Sequence, residues 1–106
     1  MYVNNAVICA CSAYEGKYYF NESFYNIPES VKEELKIMCV MYTEDVGGEL
    51  IISFSKDGRL LLNVKADEGD LLFDEIGSAL KIKQMQNEKR ELFTMLENYY
   101  DAFIKW

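Results

Sequence analysis

Apolar residues recur along this chain with two different periods, and the switches between them outline a fold. From Arg59 to Lys65 (RLLLNVK) the period is two: Leu60, Leu62 and Val64 alternate with Arg59, Leu61, Asn63 and Lys65. That pattern describes a strand with one dry face and one largely wet face, Leu61 being the exception. Glu49 to Ser55 (ELIISFS) precedes it as another strand, and Asp57-Gly58 between the two is a strong hairpin signal. A second hairpin is expected near the N-terminus. Ala6 to Ala13 (AVICACSA) is a short run of small and β-branched residues, Tyr18 to Asn21 follows, and Gly16 supplies the positive φ of a tight turn.

The helical period begins at Asn26, which can cap, with Pro28 in the first turn and Glu29 able to reach back. Val31, Leu35, Met38, Cys39 and Tyr42 keep that spacing as far as Thr43. Yet Ile37 to Thr43 (IMCVMYT) is also an apolar run of strand length, which periodicity alone does not decide. We favour a short helix ending near Lys36 and a strand from Ile37, because ELIISFS would then find a neighbour across Gly47-Gly48. Asp67 or Asp70 can cap a long final helix running from about residue 70 to 104. The expected architecture is a single α+β domain over residues 1–106. It has an antiparallel sheet of four or five strands, one short helix and one long C-terminal helix, in the order ββαβββα.

The long helix carries two displaced apolar stripes. Leu72, Ile76, Ala79 and Leu80 fall on one; Leu92, Leu96, Tyr99, Phe103 and Trp106 fall on another, roughly half a turn around at about 100° per residue. A straight helix of that length would span about 55 Å, more than a domain with a radius of gyration near 13 Å accommodates. Either it breaks near residues 84–88 and folds back, or its second half projects and packs on a partner. Lys81 to Glu91 has no proline or glycine and is rich in helix formers, which favours continuity. The first stripe is therefore expected against the sheet. The second, Leu92 to Trp106, becomes the candidate interface of a two-fold homodimer.

Composition narrows the function. The 106 residues are 50% hydrophobic, carry 18 acidic and 11 basic side chains for a formal net charge of −7, and include no histidine. That balance repels phosphate backbones and anionic lipid, so neither nucleic acid nor a membrane surface is an expected partner. The missing histidine removes the commonest general base and transition-metal ligand together. No lysine or arginine precedes Ala6 to Ala13, as a secretory signal would require, and no apolar run approaches the roughly 20 residues of a membrane span. Three cysteines, an odd number, fit reduced thiols in a cytoplasm.

Candidate chemistry is sparse. Cys9, Cys11 and Cys39 are expected to pack as small hydrophobes, because a structural zinc would need a fourth ligand. Asp67, Glu68, Asp70, Asp74 and Glu75 lack the spacing of a calcium loop and suit helix capping. A candidate surface patch combines Tyr14 and Tyr19 with Glu44 and Asp45, since tyrosines serve binding surfaces and paired carboxylates serve acid–base or cation chemistry. No glycine pattern matches a phosphate-binding loop. We expect no cofactor, no metal and no catalytic residue.

Several strings carry a resemblance: Ser12-Ala13-Tyr14-Glu15, Lys17-Tyr18-Tyr19, Ile37-Met38-Cys39-Val40, Thr43 to Gly48 (TEDVGG) and Asp74-Glu75-Ile76-Gly77. They resemble a family of short proteins of unknown function from anaerobic Gram-positive bacteria of the clostridial group, over nearly the whole chain. The resemblance implies a bacterial, cytoplasmic setting and transfers no activity, ligand or catalytic residue. The leading expectation is a non-catalytic interaction or regulatory module acting as a homodimer. The alternative is a small-ligand or metal-binding protein, or a minor enzyme, using the carboxylates and tyrosines.

Overall fold

The structure, a computed structural model, describes residues 6–103. Its strands are β1 (Val7–Ser12), β2 (Lys17–Phe20), β3 (Glu49–Phe54) and β4 (Leu60–Lys65); its helices are α1 (Glu29–Val46), α2 (Glu75–Glu88) and α3 (Arg90–Phe103). A single 3₁₀ turn, Glu22–Phe24, precedes α1 and is capped by Asn21, whose side chain accepts from the Ser23 N–H. The sheet is antiparallel throughout in the order β2-β1-β3-β4, so the fold is α+β. Both expected hairpins form. Gly16 has φ +62° and Gly58 φ +82°.

The chain order is ββαββαα. Ile37 to Thr43 is helix, not strand: α1 runs 18 residues without interruption, and Leu35, Met38, Cys39, Tyr42 and Val46 fill one face of it. The helical period outweighs strand propensity because that face covers the sheet, and β3 takes β1 as its neighbour instead. Pro28 stands at the N-cap with no side-chain cap, and Gly47 closes the helix by donating its N–H to the Thr43 carbonyl.

The C-terminal third also departs from expectation. Residues 70–74 are not helical; α2 starts at Glu75 with Asp74 as its cap, the carboxylate accepting from the Gly77 N–H at 2.8 Å. A break follows at Lys89 (φ −107°, ψ 24°), one residue beyond the 84–88 window of the fold-back alternative. The chain thus avoids the long rod, and the described residues have a radius of gyration of 13.5 Å.

All three helices contribute to one core on one face of the sheet, joining Ile8, Cys9, Leu50, Ile52 and Phe54 to residues from α1, Met85 of α2 and Leu92 and Leu96 of α3. Val7, Ala10 and Ile51 form a separate cluster on the opposite face, with no helical residue in it. The break at Lys89 resets the helical phase, and this inverts the use of the two stripes. Leu92 and Leu96 are buried within the chain. Leu72, Ile76 and Leu80, expected against the sheet, are exposed. The core side of α2 is Ser78, Ile82 and Met85, and the Ser78 hydroxyl is hydrogen-bonded to that of the fully buried Tyr42.

Candidate functional site

The four residues of the expected surface patch do not converge. Tyr14 lies in the β1–β2 turn, where its hydroxyl donates to Asp70 Oδ2 at 2.6 Å and accepts the Asp67 N–H at 2.8 Å. Tyr19 pairs with Ala10 and so faces away from the helices. Glu44 lines a groove of about 680 Å³ with Cys11, Lys17, Tyr18, Lys36 and Thr43. Asp45, on the neighbouring side of α1, receives Lys81 of α2 at 2.6 Å. Asp45 and Tyr14 are therefore structural ties between elements distant in sequence, and the carboxylate pair is split.

The Tyr14 bond has a pH signature. Tyr14 holds the Asp70 carboxyl below its ordinary value of 3.8, with the Leu72 N–H adding to the effect. A carboxyl with a depressed folded pKa contributes stability above its unfolded pKa and loses that contribution as pH falls through the folded value. NMR titration should therefore place the Asp70 midpoint below 3.8 in the native chain, and Tyr14→Phe should move it back toward 3.8. An unmoved midpoint would show that the hydroxyl is not the cause.

The three cysteines lie at the centre of the β1–α1 contact. Cys9 Sγ and Cys39 Sγ are 3.8 Å apart, Cys11 Sγ is 3.4 Å from Thr43 Oγ1, and all three are free and buried. The hydrogen bond to Cys9 raises the Cys39 thiol pKa first, and burial adds to it. Burial likewise lifts the Tyr18 hydroxyl, and Cys9 beside it adds to the shift. Raised pKa values oppose thiolate formation, which nucleophilic or metal-binding cysteines need. Among the described residues no three His, Cys, Asp or Glu side chains are grouped so as to hold a metal ion.

The candidate interface residues divide. Leu92 and Leu96 are 5% and 1% exposed, so a second copy reaches neither without opening the domain. Tyr99 and Phe103 stack at 5.1 Å between ring centroids and, with Phe24, Tyr25, Phe54 and Tyr100, line a groove of about 1030 Å³ at one end of the sheet. Trp106 lies outside the described residues. The most exposed large aliphatic side chains among the described residues are elsewhere, on the segment before α2 and on that helix. Leu71, Leu72, Ile76 and Leu80 are 95%, 93%, 77% and 65% exposed.

The family model of the DUF6145 family, a family of unknown function, matches residues 5–106. The chain belongs to that family. No curated protein and no solved structure matches it. DUF6145 membership thus leaves the function to be argued from the surfaces of the domain. No helix among the described residues is long and apolar enough to cross a membrane.

One feature of this DUF6145 chain had no signal in the sequence. A groove of about 610 Å³ separates β4 from α2, lined on the strand side by Leu62 and Val64, by Phe73 before the helix, and on the helix by Glu75, Ala79 and Ile82. The alternation in RLLLNVK correctly gives the strand and its dry face. Only the sheet order places that strand at an edge.

Proposed function

We propose that the domain is a non-catalytic interaction or regulatory module that acts as a two-fold homodimer in the cytoplasm of a bacterium of the clostridial group. The observation that carries this reading is the patch of Leu71, Leu72, Ile76 and Leu80, four aliphatic side chains each more than half exposed. Aliphatic side chains this exposed and this close in sequence mark a surface suited to covering by a protein partner. Ile37 and Met41 of α1, each 53% exposed, add to the apolar surface of the helical layer. Such a surface on a short helix is self-complementary across a two-fold axis. The C-terminal region keeps its proposed role in pairing, through α2 in place of Leu92 and Leu96.

The net charge of −7 supports a partner that is neither nucleic acid nor an anionic membrane surface. The small-ligand and enzyme alternative gains no support from Tyr14, Tyr19, Glu44 and Asp45, which stand apart.

Light scattering at micromolar concentration tests the proposal. The expected mass is twice the 12.3 kDa of one chain, and Ile76→Asp with Leu80→Asp should halve it while leaving the circular dichroism unchanged. A wild-type mass of 12.3 kDa across that range would overturn the homodimer.

A further inference from the structure

Strand β4 is an edge with hydrogen-bonding groups to spare. The Ser55 N–H donates to the Arg59 carbonyl at 2.8 Å, which fixes the phase of the β3–β4 ladder. Ser53 with Leu61 and Ile51 with Asn63 then exchange bonds inside the sheet, and Leu60, Leu62 and Val64 point their N–H and C=O groups outward. Leu60 is provided for, since its N–H donates to Glu97 Oε2 of α3 at 2.8 Å. No such partner serves the Leu62 or Val64 N–H among the described residues.

The groove between β4 and α2 lies beside these two residues. A strand added to β4 would turn alternate side chains into it, against Leu62, Val64, Phe73, Ala79 and Ile82. The intervening side chains would fall on the other face, level with Arg59, Leu61, Asn63 and Lys65. Arg59 and Lys65 are exposed and, among the described residues, neither forms an ion pair, although Glu49 stands opposite Lys65 in the β3–β4 register. Two cations bracketing the strand on that face select against a basic partner and favour carboxylates opposite them.

We propose that β4 is an acceptor edge for an extended segment of a partner protein in which apolar and acidic residues alternate. Main-chain bonds to Leu62 and Val64 supply affinity, the groove takes the apolar side chains, and Arg59 and Lys65 take the acidic ones. The site shares no lining residue with the proposed dimer patch of Leu71, Leu72, Ile76 and Leu80.

The probe is a capped ten-residue peptide alternating valine and glutamate, titrated into the full chain by fluorescence anisotropy and followed by amide hydrogen exchange. Saturable binding that slows exchange at Leu62 and Val64 is expected, with the valine–lysine peptide at least tenfold weaker. Val64→Pro removes an outward N–H together with the Val64 side chain on the groove wall, at an edge position where a strand tolerates proline, and should weaken binding at least tenfold. Arg59→Glu with Lys65→Glu, both exposed, guards against misfolding of the proline variant and should reverse the charge preference. Three results would each overturn the proposal: no binding, equal binding of both peptides, or unchanged affinity in a folded Val64→Pro. So would concentration-dependent protection of Leu62 and Val64 without peptide, since that would place a second copy on the edge.

Discussion

Leu96→Asp should abolish folding at room temperature, and Leu96→Ala should lower the free energy of unfolding by about 2–5 kcal/mol. Leu96 is 1% exposed and sits in the core that joins α3 to the sheet. Truncation to alanine removes apolar contacts and leaves a cavity that its neighbours fill only in part. A carboxylate there would sit in an apolar core and would have to be buried neutral or pull α3 off the sheet. Against a domain stability of about 5–15 kcal/mol, either outcome is decisive. Urea unfolding followed by circular dichroism measures it. A wild-type midpoint for Leu96→Asp would mean that α3 turns this stripe to solvent.

The misplacement of that stripe shows what the sequence carries and what it does not. Leu92, Leu96 and Tyr99 are legible as one side of a helix, and Ile76 and Leu80 as one side of another, although the same spacing wrongly draws in Leu72, which lies before α2. Which side meets the sheet depends on the phase across Lys89, where no glycine or proline marks the break. The usual guide, that the more apolar side goes inward, fails on α2. Its core side includes Ser78, held there by the hydroxyl of Tyr42 from a helix 36 residues away in sequence. Ile37 to Thr43 failed for a related reason. Its local composition suits a strand, and only the face formed with Leu35 and Val46 across the whole of α1 settles it as helix.

The hairpins were legible because their determinants are local: a glycine at positive φ between runs of strand-forming residues, with alternation added in RLLLNVK. The surfaces were not, because they are made by neighbours. Tyr14 meets Asp70 across 56 residues, and the β4 groove exists only because β4 ends the sheet and α2 stands beside it.

Gly48→Ala should destabilise the domain by about 3 kcal/mol or more, well beyond the effect of Gly16→Ala, and the difference isolates a close approach from backbone strain. Both glycines lie at positive φ, +70° and +62°, where a Cβ alone costs about 1–2 kcal/mol. At Gly16 an added Cβ would meet nothing within 4 Å. At Gly48 it would stand 2.7 Å from the Lys65 carbonyl oxygen and 2.8 Å from Phe73 Cε1. The first of these is backbone at the end of β4 and has no rotamer to change. The Gly48 carbonyl also accepts the Ala13 N–H at 2.9 Å, so the residue is pinned on the β1 side as well. Relief must come from Phe73 or from the β3–β4 register. Phe73 directly follows Leu71 and Leu72, so the substitution should also speed amide exchange through residues 67–74. Equal losses for the two variants in urea would mean that β4 and Phe73 do not close over Gly48.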